Sequence, residues 1–393
     1  MKEKKERSIS ALLKEKRNLW FFLLIPAVAM YLTAKHSADA AENVFARGTY
    51  RLFGGIMSRV NDLFPFSVLE IAVILLVPAF IVAFVGGFFK IVIVRNSEHK
   101  GKARLERLLR FLRNLLLMGT LLLFLFMIGC GTNYYRYEFV TFSGLKVEKS
   151  TKEELAGLFS ELVAKANESR AALNLAEGEV FTSRLSFSER AETASEAMNA
   201  LGDKYEVLAG YYPDVKPVLL SRLMSQFGIT GMYSPFTVEA NVNTDSPEYL
   251  RAMNCCHELS HLRGFMREDE ANYIGYLGCV NSGDPEFVYS GYVSAVIHIG
   301  NRLYDSDAEL FYELADYSDG VRLDLIKANE YWDSFRDTEI GETLSNAGES
   351  LNNAYLNANG IEDGTKSYGR YADLLLAEYR KRMEEGDNNE VLK

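Results

Sequence analysis

The chain has 393 residues, 48% of them hydrophobic, and a formal net charge of −10, so it is long enough for a sizeable folded domain and a membrane region. The charge is uneven: residues 1–134 hold 19 Lys and Arg against 9 Asp and Glu, and the remainder holds 24 against 44. Such an acidic C-terminal part argues against a nucleic-acid partner, because phosphate binding needs clustered basic residues. The four cysteines include no CxxC pair, so we expect buried thiols and neither a disulfide framework nor a cysteine zinc site.

Three long apolar runs in the first third of the chain predict transmembrane helices at about 19–34, 71–89 and 115–131. Basic residues crowd the N-terminus and the loop Lys90–Arg113, which places both in the cytoplasm by the positive-inside rule. We therefore predict a membrane region over residues 1–134, with a cytoplasmic N-terminus, and an extracytoplasmic domain over residues 135–393. Core helices of a soluble protein are the less favoured interpretation of these runs.

The predicted outer domain is mainly helical, so the expected fold class is mainly α (α+β). Thr151–Leu173 has a threonine N-cap, acidic residues in its first turn and apolar residues at helical spacing, and Ser188–Leu208 is a second predicted helix. Gly228–Val242 is rich in Gly, Thr, Phe and Val and predicts a loop with one short strand. Further helices are expected at about 268–281, 285–304, 306–317, 319–336, 345–358 and 367–385.

The sequence His257-Glu258-Leu259-Ser260-His261 is the strongest chemical motif, on a helix expected to begin at Ser246 or Pro247. Two histidines four residues apart share one helix face, so their ring nitrogens can reach one Zn²⁺ ion. The intervening Glu258 lies beside the ion, where it can take a proton from a zinc-bound water that then attacks a carbonyl. Only five histidines occur in the chain, and two are here. The alternative is a surface helix with a histidine pair and no metal.

A catalytic zinc needs a third protein ligand and one position open to water. Gly264 is suited to end the motif helix, and the acidic run Glu268, Asp269 and Glu270 then favours the start of a second helix. A returning helix can direct one of these carboxylates at the metal. The alternative is that the three acids only stabilise the helix N-terminus.

HELSH followed by EDEAN resembles the gluzincin class of zinc peptidases, whose second helix carries Glu-x-x-x-Asp/Asn. The resemblance implies that Glu268 is the third ligand and that Asn272 supports a ligating histidine. The three apolar runs, SPFTVEANVN, HELSHLRGFMREDEAN and SYGRY also resemble an uncharacterised bacterial family of membrane-anchored HExxH proteins, over nearly the whole chain. The metzincin pattern HExxHxxGxxH fails, because Arg267 stands where its third histidine would be.

Glu268 follows His261 by seven residues, a shorter gap than in many gluzincins, so Glu270 is the rival third ligand. The two glutamates are two helical positions apart and cannot both face the zinc. We favour Glu268 because Asn272 then lies on the same face one turn later, where a ligating histidine needs a supporting partner.

Two further predictions concern the substrate. In gluzincin-like sites an edge strand before the motif helix pairs with the substrate backbone, and PFTVEANV is the candidate here, with an ordinary structural strand as the alternative. A hydrogen-bond donor to the developing oxyanion is also expected. The resemblance favours Tyr368, in KSYGRY, as this catalytic residue; His298 is the rival, although its apolar helix is more typical of a buried structural histidine.

Taken together, the motif and the resemblance predict a gluzincin-like zinc metallopeptidase in the bacterial plasma membrane. Zn²⁺ would be bound by His257, His261 and Glu268, and the partners would be the lipid bilayer and a peptide or protein substrate. Two alternatives stay open: a zinc-binding membrane sensor or structural protein without hydrolysis, and a zinc hydrolase of cell-wall amide bonds. An intramembrane protease is disfavoured, because the residues around the motif are polar.

Overall fold

The computed structural model describes Leu12 and residues 14–93, 100–337, 339–359, 361 and 369–391. It is 75% helical with little strand, which confirms the predicted fold class. The longer helices are, in chain order, α1 Leu24–His36, α2 Arg51–Asn61, α3 Val68–Val92, α4 Lys100–Gly129, α5 Lys152–Ala172, α6 Phe187–Lys204, α7 Ser221–Gln226, α8 Glu248–His261, α9 Glu268–Val280, α10 Pro285–Ser306, α11 Ala308–Leu314, α12 Asp319–Arg336, α13 Glu339–Ala358 and α14 Gly369–Val391. Three strands complete the fold: β1 Lys216–Val218, β2 Gly231–Ser234 and β3 Glu239–Asn243.

Three helical segments are long and apolar enough to cross a membrane: Lys16–His36, which starts as a 3-10 helix and continues as α1, then α3 and α4. At most 17% of the residues in their most apolar windows are buried, so these side chains face outward, where lipid would lie. The third helix begins 15 residues before the predicted position 115 and ends at Gly129. The reason is that Lys and Arg before the apolar run are good helix formers and continue the helix.

The segment between α1 and α3, where no helix was predicted from the sequence, is helical. It contains the turn Ala38–Ala40, a π-helix over Ala41–Tyr50 and then α2. This segment packs on the acidic part of the chain: the buried Glu42 carboxylate accepts bidentate hydrogen bonds from Arg136 at 2.8 and 2.9 Å. The segment between α1 and α3 and the part of the chain that follows α4 therefore share a buried polar contact.

The N-terminal end of α3 also contacts the part of the chain that follows α4. The carboxylate of Glu239, at the start of β3, accepts hydrogen bonds from the backbone N–H groups of Val68 and Leu69, both at 2.8 Å. These N–H groups have no partner within the helix, and a carboxylate is the favoured group at a helix N-terminus. A second contact runs in the opposite direction: the carboxylate of Glu70, in the first turn of α3, accepts hydrogen bonds from the backbone N–H groups of Leu219 and Leu220.

The sheet has the order β1-β3-β2, with β3 parallel to β1 and antiparallel to β2. The prediction of a single strand was therefore wrong. Strand β1 has three residues including Pro217, and β2 has four including Gly231, so both are too short to show an alternating pattern. The predicted edge strand PFTVEANV overlaps β3, which is buried along its whole length and paired on both sides. It cannot accept a further strand.

The core surrounds α8, which packs against α6, α9, α10 and the sheet. Helix α5 begins as predicted: Thr151 caps it and Glu154 completes the capping box. The predicted helix Ser188–Leu208 is shorter, because α6 ends at Lys204 and a 3-10 turn follows. All four cysteines are buried and free, as predicted.

Candidate metal centre

The motif helix α8 and the following helix α9 are joined by a tight turn. Helix α8 ends at His261, and Gly264 in the turn has φ +83°, a conformation that favours glycine. Helix α9 then begins at Glu268 and packs closely on α8, since a Cβ on Gly275 would lie 2.9 Å from the backbone nitrogen of His257. This close packing brings the first turn of α9 beside the two histidines.

The side chains of His257, His261 and Glu268 converge at one point. Their candidate ligand atoms all lie within 4.8 Å of one another. The Nε2 atom of His257 is 3.2 Å from Glu268 Oε2, and the Nε2 atom of His261 is 3.9 Å from Glu268 Oε1. The two imidazole rings are nearly perpendicular, with centroids 4.9 Å apart. Two imidazole nitrogens and one carboxylate in this arrangement are a ligand set that zinc favours.

Each imidazole is oriented through its other nitrogen. The Nδ1 atom of His257 lies 2.8 Å from Asn272 Oδ1, and the Nδ1 atom of His261 lies 2.7 Å from the backbone carbonyl oxygen of Phe265. Because both partners are acceptors, each ring carries a proton on Nδ1 and directs Nε2 toward the cluster.

Glu258 is buried beside the cluster, and its Oε2 atom has no hydrogen-bond partner among the described residues. Burial raises the pKa of this carboxyl to about 8, although the charge of His257 opposes the rise. Its other oxygen is in close contact with Gly231 of β2, where any Cβ would collide with the carboxyl group. The Glu258 side chain therefore lies between the motif helix and strand β2.

The two histidines differ in protonation. Burial alone would lower the pKa of His257, but the hydrogen bond and negative charge of Glu268 outweigh it and raise the pKa to about 9. Burial lowers the pKa of His261 to about 4, with only partial compensation from Glu268. At neutral pH without metal, His257 is therefore protonated beside Glu268, at the place where a cation would bind.

The rival glutamate, Glu270, points elsewhere. Its carboxyl group accepts a hydrogen bond from the backbone N–H of Phe139, and burial raises its pKa to about 8. The neighbouring Asp269 is bonded to Arg370 of α14 at 2.9 Å. The side chains of these three consecutive acids thus have different partners, and of the three only Glu268 is in the cluster with the histidines.

Tyrosines that were not singled out in the sequence surround the cluster. The ring of Tyr233, on β2, lies 6.0 Å from that of His261, and its hydroxyl donates to the backbone carbonyl oxygen of Gly129, the last residue of α4. The hydroxyl of Tyr134 donates to that of Tyr355, and the charge of Glu268 adds to the burial that raises the pKa of both. With 22 tyrosines in the chain, no sequence pattern distinguishes these three from the others.

The two candidates for the oxyanion donor have different outcomes. Tyr368 lies outside the described residues. His298 is not part of the three-residue cluster; its Nδ1 atom is 2.8 Å from the backbone carbonyl oxygen of Ser294, and its ring packs on Tyr371. Burial lowers its pKa, and the nearby charge of His257 adds to this.

Fold and site define a mainly helical protein with three helices fit to span a membrane and a two-histidine, one-glutamate cluster outside them. The chain belongs to the family described as "Protein of unknown function (DUF3810)", whose profile matches residues 45–376. The match covers α2 through the first turns of α14 and so includes the whole cluster. No curated protein and no solved structure matches the chain.

Proposed function

We propose that this protein is a membrane-anchored zinc metallopeptidase. The observation that carries the proposal is the convergence of His257, His261 and Glu268 within 4.8 Å, next to the buried carboxyl of Glu258. A metal-free structural role leaves this arrangement unexplained, because it brings three titratable groups and an unpartnered carboxyl oxygen into one buried place.

The residues present fit zinc. Both histidines direct Nε2 to the cluster and have Nδ1 occupied by an acceptor, as ligating imidazoles do. Bound zinc would lower the pKa of a water molecule and polarise a substrate carbonyl. Glu258 would take the proton of that water and return it to the leaving amine, and its unpartnered Oε2 and raised pKa support this role.

Strand β2 is the proposed binding edge for an extended peptide. It is the outer strand on the side of the cluster, and no described strand pairs with its free edge. Gly231 contacts Glu258 and Tyr233 lies beside His261, so a peptide added along β2 would bring its backbone past both groups. Tyr368 remains the proposed oxyanion donor on the sequence resemblance of KSYGRY alone.

The proposed compartment is the outer face of a bacterial plasma membrane, as the distribution of basic residues favours. The hydrogen bond from Tyr233 to Gly129 links the site to the end of α4. We therefore propose that the substrate is a peptide or protein segment close to the membrane surface.

The experiment is Glu258→Gln in the full-length chain, purified in detergent and loaded with one equivalent of zinc. The intact chain is needed because Glu42, Tyr50 and the start of α3 contact the outer part. We expect bound zinc to be retained and hydrolysis of a peptide library to fall by at least about a hundredfold. Glu248→Gln, the same change ten residues earlier on α8, is the matched control and should keep its activity.

Two results would contradict the proposal. One is zinc-dependent hydrolysis that is unchanged in Glu258→Gln. The other is a parent chain that binds zinc with the predicted ligands and cleaves no peptide in the library, which would favour the sensor or structural interpretation.

A further inference from the structure

A narrow cleft behind the end of α8 is lined by four arginines: Arg47, Arg51, Arg136 and Arg263. Arg47 and Arg51 come from the π-helix and α2, and the small residues Gly54 and Gly55 also line the cleft. Arg136 is buried at the floor, Arg47 is about one-third exposed and Arg51 is exposed, so the cleft is open on the side of α2. None of these residues belongs to the metal cluster.

The positive charge in the cleft exceeds the negative charge. The single carboxylate of Glu42 forms ion pairs with both Arg136 and Arg47, so it neutralises only one of these two positive charges. Arg263 and Arg51 instead donate to backbone carbonyl oxygens, those of Tyr211 and Ala209. The buried Nε of Arg263 has no hydrogen-bond partner among the described residues. Glu206 acts on Arg51 through a weaker electrostatic interaction.

The other arginines of the cleft act electrostatically on Arg51. Burial lowers the pKa of its guanidinium group, and the charges of Arg263, Arg47 and Arg136 lower it further. Like charges held together in this way are stabilised by a bound anion, and the fork of a guanidinium group matches the oxygens of phosphate in a bidentate geometry.

The opposite face of α2 is apolar and exposed. Leu52, Ile56 and Val60 recur every four residues and are 68%, 56% and 46% exposed. Helix α2 lies between the end of the first span and the start of α3 at Val68. An apolar face and a basic face on a helix between two apolar helices are typical of helices that lie along a membrane surface with their basic residues near the lipid phosphates.

We infer that the arginine cleft binds the phosphate group of a membrane phospholipid. The acyl chains would lie along the exposed apolar face of α2, and the phosphate oxygens would accept hydrogen bonds from Arg51, Arg47 and the Nε of Arg263. The cleft adjoins the end of α8: Tyr50 donates to the backbone carbonyl oxygen of His261 at 3.1 Å, and Arg136 donates to that of Arg263 at 2.7 Å. A bound headgroup therefore stabilises the turn that follows the motif helix.

Thermal unfolding of the full-length chain in maltoside micelles tests the inference. The protein is treated with EDTA so that phosphate cannot act through a metal, which makes the result independent of any zinc chemistry. Three probes are added separately: phosphatidylglycerol, diacylglycerol with the same acyl chains, and inorganic phosphate. The variants are Arg51→Gln alone and together with Arg47→Gln. The matched control is Arg59→Gln, an exposed arginine on the same helix that does not line the cleft.

We expect phosphatidylglycerol to raise the unfolding midpoint of the parent and of Arg59→Gln by a few degrees, and diacylglycerol to leave it unchanged. In Arg51→Gln, and more in the double variant, the lipid concentration for half of this rise should increase at least about tenfold. An equal response to diacylglycerol, or the same lipid response in all variants, would overturn the inference. A rise with inorganic phosphate and none with phosphatidylglycerol would overturn the lipid as the source of the phosphate.

Discussion

The Oδ1 atom of Asn272 lies 2.8 Å from the Nδ1 atom of His257, one turn along α9 from Glu268. The amide oxygen can only accept, so the contact fixes the proton of His257 on Nδ1 and leaves Nε2 available to a cation. One helix therefore supplies both a candidate ligand and the group that orients another ligand. This pairing depends on the spacing of four residues between Glu268 and Asn272.

Asn272→Ala should weaken zinc binding by about 10–100-fold without abolishing it, because all three ligands remain and only the orientation of His257 is lost. Asn272→Asp keeps an acceptor at the same place and should bind zinc nearly as well as the parent. Competition with a chromophoric zinc chelator measures both affinities. Equal affinity in Asn272→Ala and the parent would show that this contact does not support a metal ligand.

Glu268→Ala and Glu270→Ala should have opposite effects, although the two residues are only two positions apart. Loss of Glu268 removes one of the three converging groups, so the zinc content after dialysis should fall below about a tenth of that of the parent. Loss of Glu270 should leave the zinc content unchanged and lower thermal stability, because the buried N–H of Phe139 loses its acceptor. Metal analysis and thermal unfolding of the same samples separate the two effects, and the reverse pattern would make Glu270 the ligand.

The features that could be predicted from the sequence are local. The HExxH motif, the turn at Gly264 and the acids of α9 lie within 16 consecutive residues, so helical spacing alone indicated which side chains share a face. Long apolar runs likewise predicted the three spans. Helix α2 was missed although Leu52, Ile56 and Val60 have helical spacing, because Gly54 and Gly55 interrupt the pattern with weak helix formers.

The features that could not be predicted depend on distant segments. Tyr134 and Tyr355 are 221 residues apart in sequence and share a hydrogen bond beside the cluster. Gly231 contacts Glu258 only because β2 pairs with β3, and neither the pairing nor the short strand β1 has a sequence pattern of its own. The arginine cleft likewise combines residues from four separate parts of the chain.

Gly231→Ala tests whether Glu258 and β2 act together. The added Cβ would collide with the Glu258 carboxyl group, so the side chain must move away from the cluster. We expect zinc binding to be unchanged and peptide hydrolysis to fall at least about tenfold, mainly through kcat. Met232→Ala, at the next position of the same strand, is the control, because its side chain is 43% exposed. A Gly231→Ala protein with parental kcat would show that the position of Glu258 is not critical.

Zinc binding should strengthen as the pH rises from about 6.5 to about 9. The free His257 has its pKa raised to about 9, so the metal must displace a proton throughout this range, and each displaced proton changes the apparent affinity by about tenfold per pH unit. The stabilisation that protonated His257 gives the metal-free protein is complete below its unfolded pKa and is lost as the pH approaches 9. Calorimetric titration in buffers of different ionisation enthalpy should detect at least one proton released at pH 7. An affinity that is constant between pH 6.5 and 8 would contradict the assignment of His257 as a ligand.

Glu42→Gln should destabilise the full-length chain more than any change at a surface ion pair. Glu42 is buried and is bonded by both Arg47 and the buried Arg136, so its neutralisation leaves a buried guanidinium group without its counter-charge. Removal of one partner from such a pair costs about 3–5 kcal/mol, because the desolvation of the remaining charge is no longer compensated. Glu168→Gln, which breaks the exposed pair with Lys165, is the matched control and should leave stability unchanged. Urea unfolding of both variants in the same detergent measures the difference. If the two variants unfold at the same urea concentration, the contact between the segment before α3 and Arg136 contributes nothing to stability.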